Sequence, residues 1–200
     1  MEKHICVFGD STSWGGWDLE KGGWVSRLWF YLGGRQEGDD IELYNCSISG
    51  GTSDTILARF ESEAKIRTAD VLIFQTGGND ASYKSSPDNL LVPEDRFRQN
   101  IEEIIKRAKP ISNKIVFCDL KNCDESKTMP VPWADFYYRN EDMQKYCKIM
   151  EEICIANGVE FLDLDILDNV DFFDGLHPNE QGHEKIFQQV KKFLEDKKWI

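Results

Sequence analysis

Five short stretches of this chain are almost continuously apolar and bounded by Gly, Asn or Asp: His4–Gly9, Ile41–Cys46, Asp70–Gly77, Lys114–Leu120 and Val159–Leu164. Runs of that length, rich in Val, Ile, Phe and Leu, predict strands covered on both faces, as in a parallel sheet. Between them, apolar residues recur at helical spacing. Trp24, Leu28, Tyr31 and Leu32 form one stripe, and Phe97, Ile101, Ile104, Ile105 and Ala108 form a second that ends near Pro110. Met143, Cys147, Met150 and Cys154 form a third, stopped by Gly158. Ile186, Phe187, Val190, Phe193 and Leu194 share one face of a last helix. Strands alternating with helices predict an α/β domain with helices on both faces of a parallel sheet, one domain over residues 1–200. Two irregular stretches, 81–93 and 121–138, follow strand ends. They are expected at the carboxyl edge of the sheet, where open α/β folds bind ligands.

Composition narrows the partners. The 200 residues carry a formal charge of −12. A phosphate-tracking protein needs a basic stripe, so nucleic acid is disfavoured, as is docking to anionic lipid. No stretch approaches the roughly 18 apolar residues of a membrane span. The N-terminus, Met1-Glu2-Lys3-His4-Ile5, runs straight into the first strand and lacks the apolar stretch of a signal peptide. The six cysteines include no CxxC pair and read as buried thiols of a reducing compartment. A cytoplasmic location is therefore expected. Cys123, in a loop, is the thiol placed for exposure.

Four segments could carry chemistry. The first strand ends in Gly9-Asp10-Ser11, where a sharp turn would project Ser11 above the sheet edge. The second ends in Asn45-Cys46-Ser47-Ile48-Ser49-Gly50-Gly51, whose paired glycines allow close backbone approach. The third ends in Gly77-Gly78-Asn79-Asp80, which offers an amide donor to the same edge. The fourth, Asp174-Gly175-Leu176-His177-Pro178, spaces a carboxylate to meet the histidine Nδ1–H and leave Nε2 as a base. Each segment alone also has a plain structural reading, as an Asx- or Ser-turn, a flexible loop or a helix entry, favoured for the first and least favoured for the fourth. Together they supply a nucleophile, oxyanion donors, a base and its orienter. His183 falls on the apolar face of the last helix and reads as a packed histidine, and His4 stands at the wrong end of its strand.

In order and spacing these segments resemble the SGNH hydrolases, the GDSL esterase/lipase family. The matching blocks are Gly9-Asp10-Ser11 with Gly15, the Asn45…Gly50 segment, Gly77-x-Asn79-Asp80 and Asp174-x-x-His177-Pro178. Thr12 stands where the family motif has Leu, and Gly51 beside Gly50 leaves the backbone donor open by one residue. The resemblance implies a three-layer α/β/α flavodoxin-like fold with a five-stranded parallel sheet. It implies Ser11 as nucleophile, His177 as base and Asp174 as its orienter. The implied oxyanion hole is the Ser11 and Gly50 N–H groups with the Asn79 side-chain amide.

The expected activity is that of a serine esterase working through an acyl-enzyme on a small-molecule ester, with a short acyl chain on a polar alcohol or sugar. Trp14, Trp133 and Phe136 are the expected substrate contacts, since aromatic rims stack on sugars or line acyl slots. An acyltransferase would use the same acyl-enzyme, and a non-catalytic binding module would need one triad member misplaced. No Gly-x-Ser-x-Gly elbow is present, which argues against the α/β-hydrolase fold. No His cluster accompanies the scattered carboxylates, so no metal and no organic cofactor is expected.

Overall fold

The computed structural model describes residues 3–34 and 40–200. Each of the five apolar runs contains a strand: β1 (Lys3–Phe8), β2 (Ile41–Asn45), β3 (Val71–Gln75), β5 (Lys114–Asp119) and β7 (Glu160–Asp163). They form one parallel sheet in the order β2-β1-β3-β5-β7. This is the flavodoxin-like order, in which the ligand crevice lies outside the carboxyl ends of the strands.

The strands alternate their side chains between two cores. Ile5 and Val7 of β1 and Val71 and Ile73 of β3 face α2 (Gly23–Gly33) and α6 (Glu180–Asp196). Cys6, Phe8, Leu72 and Phe74 face α3 (Ser53–Ile66), α4 (Glu94–Ala108) and α5 (Asn140–Asn157). The second core is aromatic at its centre, with Phe74 stacked between Phe8 and Phe117 at centroid distances of 5.6 and 4.8 Å. The chain leaves β1 toward one face and β3 toward the other. The crevice between their ends is the topological switch point of the sheet.

Three features go beyond the sequence reading. Helix α3 lies outside the predicted stripes, although Ile56, Phe60 and Ala64 recur every four residues and are fully buried. A one-turn helix, α1 (Ser11–Trp14), follows β1 directly. The two irregular stretches each hold a two-residue strand, β4 (Tyr83–Lys84) and β6 (Phe136–Tyr137), and these pair antiparallel. The loops thus fold onto each other over the carboxyl edge. Cys123 corrects an expectation. It is buried at 1% exposure, because its loop turns back so that Sγ lies 3.3 Å from Thr128 Oγ1 and 3.7 Å from the Tyr138 carbonyl. All six cysteines are free and buried. No helix among the described residues is long and apolar enough to cross a membrane.

Candidate active site

Ser11 opens α1, and Asp10 caps it by accepting from the Thr12 N–H at 2.9 Å. The turn is tight enough to require glycine where it ends. Gly15 has φ of 101°, and a Cβ there would sit 2.1 Å from the Gly22 carbonyl oxygen. Ser13, the third residue of the turn, is fully buried and donates to Gln75 on β3, while Asn45 Nδ2 donates to the Ser13 carbonyl at 2.8 Å. The turn that carries Ser11 is therefore fastened to both neighbouring strands.

The Asp174–His177 segment approaches from the far end of the chain. Asp174 Oδ1 accepts from the Leu176 and His177 backbone N–H groups at 3.0 and 2.8 Å. Its Oδ2 lies 2.8 Å from His177 Nδ1, and His177 Nε2 lies 2.9 Å from Ser11 Oγ. Burial pushes the Asp174 carboxyl up, but hydrogen bonds from the His177 ring and backbone outweigh it and hold the carboxyl below its ordinary range. An ionised Asp174 puts the proton on Nδ1 and leaves the Nε2 lone pair facing Ser11. Trp17 Nε1 also lies 3.1 Å from Nδ1. A protonated Nδ1 has no lone pair for that N–H, so the indole crowds the ring edge without a hydrogen bond.

His177 is seated firmly. Its carbonyl accepts from the Phe173 N–H at 2.8 Å, and Asn179 caps the helix α6 that follows. Buried Arg27 of α2 ties that helix down, donating to Asp18 at 2.9 Å, Glu184 at 2.6 Å and the Glu180 carbonyl at 3.2 Å. His183, also on α6, is fully buried between the Trp24 N–H and the Gly16 carbonyl, and burial lowers its pKa. It packs rather than lining the crevice.

Three candidate donors surround Ser11. Gly51 donates its N–H to the Ile48 carbonyl at 2.9 Å, and its own carbonyl accepts from Asn79 Nδ2 at 3.0 Å. Gly50 faces the cleft with φ of 74°, and no hydrogen bond engages its N–H or that of Ser11 among the described residues. Gly50 is therefore the uncommitted donor of the glycine pair. Asn79 Oδ1 accepts from the Tyr138 hydroxyl at 2.8 Å, a partner that sequence reading does not reveal. Asp80 fixes the same loop, accepting from the Ser53 N–H at 3.0 and 3.1 Å and from Thr76 Oγ1 at 3.1 Å. Burial raises the Asp80 and Asp10 carboxyls to about 6 each.

The cleft above these groups holds about 490 Å³. Val131, Trp133, Ala134 and Phe136 line it from the loop before and within β6, while Ser49, Thr52, Asp54 and Thr55 line it from the start of α3 and the turn before it. The Trp133 ring lies 5.3 Å from that of His177 and is 49% exposed. Trp14 is not among the walls. Thr12 and Ser13 take the inward directions of the single turn, so Trp14 points outward at 58% exposure. No group of three or more His, Cys, Asp or Glu is arranged to hold a metal ion among the described residues.

A serine in hydrogen-bond reach of a carboxylate-oriented histidine, beside convergent N–H donors, is an arrangement suited to acyl transfer. The GDSL-like lipase/acylhydrolase family model matches residues 7–185, and the chain belongs to that family. The chain is similar to the GDSL esterase/lipase CPRD49 of Arabidopsis thaliana, with 24% identity over 152 residues, 70% of this chain and 59% of that relative. It thus spans about three fifths of that plant protein. Among solved structures it is similar to TesA (TM-score 0.73, 20% identity, 96% of this chain and 98% of that one). It is also similar to the acetyl xylan esterase AlAXEase (TM-score 0.78, 18% identity, 96% and 99%). At these identities the structural likeness speaks to fold.

Proposed function

We propose that this chain is a serine esterase that hydrolyses carboxylic esters through an acyl-enzyme. The reading rests on one observation above others, the 2.9 Å approach of His177 Nε2 to Ser11 Oγ with Asp174 on the opposite ring nitrogen. His177 takes the Ser11 proton as Oγ attacks the ester carbonyl carbon. The oxyanion of the tetrahedral intermediate accepts from the Ser11 and Gly50 N–H groups and from Asn79 Nδ2. Collapse expels the alcohol oxygen, which takes its proton from His177 and leaves an ester on Ser11. Water then attacks that ester, giving a proton to His177, and the second collapse returns the proton to Ser11 Oγ and releases the acid. Asp174 stabilises the imidazolium formed in each half.

The substrate we propose is a short acyl ester of a polar alcohol or sugar, with Trp133 and Phe136 as its contacts. Two features of the cleft support it: hydroxyl and carboxylate groups from Thr52, Thr55 and Asp54, and a half-exposed Trp133 ring beside the base that protonates the leaving alcohol. The test is turnover of p-nitrophenyl acetate by wild type and Ser11→Ala. Loss of at least about 10³-fold in kcat is expected, as for removal of a triad nucleophile. Equal rates would refute the mechanism. A series of p-nitrophenyl esters from acetate to palmitate should peak at short chains, and a long-chain optimum would overturn the substrate assignment alone.

A further inference from the structure

We infer that Tyr138 is a positioning residue for the oxyanion hole, its hydroxyl holding the Asn79 carboxamide with one N–H turned to the cleft. The inference rests on the reading of Asn79 as an oxyanion donor. An asparagine amide has two orientations of nearly equal shape, and they differ in whether an N–H or a carbonyl oxygen meets the developing anion. The wrong one would repel it.

The surroundings of Asn79 choose. On one side stands the Gly51 carbonyl, which only accepts, so Nδ2 must face it, as it does at 3.0 Å. On the other stands the Tyr138 hydroxyl, 2.8 Å from Oδ1. Tyr138 is 6% exposed, and burial, followed by the negative charge of Asp10, pushes its phenol well above the ordinary range. It therefore keeps its proton, and with Oδ1 facing it the hydroxyl donates. With Gly51 and Tyr138 both engaged, one Asn79 N–H remains, and Asn79 lines the cleft beside Ser11 and Gly50.

Tyr138 is itself held in place. Its backbone is clamped by Thr128, whose carbonyl accepts from the Tyr138 N–H at 3.0 Å and whose hydroxyl donates to the Tyr138 carbonyl at 3.0 Å. Tyr138 directly follows β6, the strand that carries Phe136 and pairs with β4. The loop that forms the substrate wall thus also orients a donor for the transition state, so a change that frees the Tyr138 hydroxyl is felt in kcat.

The test is p-nitrophenyl acetate kinetics of Tyr138→Phe, Asn79→Ala and the double variant. Tyr138→Phe keeps the ring and loses only the hydroxyl. It should lower kcat about tenfold, a fraction of the 10²–10³ expected for removing a donor outright, with KM within about twofold of wild type. In the Asn79→Ala background the same change should cost less than about twofold, since nothing remains to orient. An equal loss in both backgrounds, unchanged kcat, or a raised KM at unchanged kcat would each overturn the inference. Should the Tyr138→Phe variant melt below assay temperature, Thr128→Val loosens the backbone that carries the same hydroxyl. It should give a smaller kcat loss that again vanishes without Asn79, and a loss that persists would refute the coupling. If Asn79→Ala itself runs at wild-type speed, the oxyanion reading fails; if it is slow and Tyr138→Phe is not, only the positioning role of Tyr138 does.

Discussion

Two regions meet at the cleft and are built on different principles. The turn after β1 is held by the sheet it leaves. Asp10 caps its helix, Ser13 reaches β3, Asn45 of β2 holds the Ser13 carbonyl, and the Ile48 N–H donates to the Gly9 carbonyl at 3.0 Å. The wall formed by residues 81–93 and 121–138 is held by its two halves gripping each other. Tyr83 pairs with Tyr137, the Ser85 N–H donates to the Asp135 carbonyl at 2.7 Å, and the Arg139 guanidinium lies 4.7 Å over the Tyr83 ring. The first region has its groups fixed by short, buried or part-buried connections to strands. The second depends on contacts between distant, partly exposed loops. On the proposed mechanism the reacting groups sit on the part fastened to the sheet and the substrate contacts on the loop wall, with Tyr138 the one wall residue that reaches back to the first region.

The sharpest way to break this comparison is to remove a fixed group. Asn79→Ala should reduce kcat on p-nitrophenyl acetate by about 10²–10³ while leaving the melting temperature nearly unchanged. A large loss of stability would mean that the donor loop is not held by Asp80 and Ser53 as described. The loop wall should respond more gently. Trp133→Ala should raise KM a few-fold for an acetylated sugar, the effect of an aromatic contact of about 0.5–1.5 kcal/mol, with kcat on p-nitrophenyl acetate changed little. Trp14→Ala should leave both kinetics and stability within error, since an exposed side chain away from special features changes stability by about 0.5 kcal/mol or less.

Acidity separates the regions by a subtler effect. The buried Asp10 and Asp80 carboxyls of the fixed region titrate near 6, above the 3.8 of an unfolded chain. Between about pH 6 and 4 the folded protein binds protons that the unfolded chain does not, so these groups favour folding more as pH falls through that window. Asp18, Asp174 and Glu184 are shifted down and act oppositely, losing their contribution only as pH drops below the ordinary carboxylate range. His183, held below the ordinary histidine range by burial, opposes Asp10 and Asp80 between pH 7 and 5, because the unfolded chain takes up its proton first. Asp80→Asn should therefore lower the melting temperature at pH 5 relative to pH 7 when compared with wild type in a pH series of thermal melts, and both proteins should lose stability below about pH 4. An unchanged pH dependence in that variant and in Asp10→Asn would show that other groups set it.

The same division governs what the sequence disclosed. The five strands were legible because a buried parallel strand is nearly all apolar, and the Ser11, Asn79 and Asp174–His177 segments because each follows a strand end or leads into a helix at fixed spacing. Helix α3 carried a readable signal in Ile56, Phe60 and Ala64, diluted by the charged residues between them. The pairing of β4 with β6 carried none, since two-residue strands have no period to detect. Tyr138 was one more aromatic in a loop until that loop closed on Asn79. Trp14 and Trp133 look equivalent along the chain; only the rotation of a single helical turn sends one outward, while the later loop brings the other's indole to His177. The choice between Gly50 and Gly51 likewise waited on the bond from Gly51 to Ile48.

The Ser11 to His177 contact joins positions 166 residues apart. On the proposed mechanism the nucleophile is made 166 residues before its base. A nascent chain therefore carries a dormant serine until His177 has emerged and helix α6 has docked through Arg27. On that mechanism hydrolytic activity waits for the docking of α6, and its appearance would serve as a clock for that step.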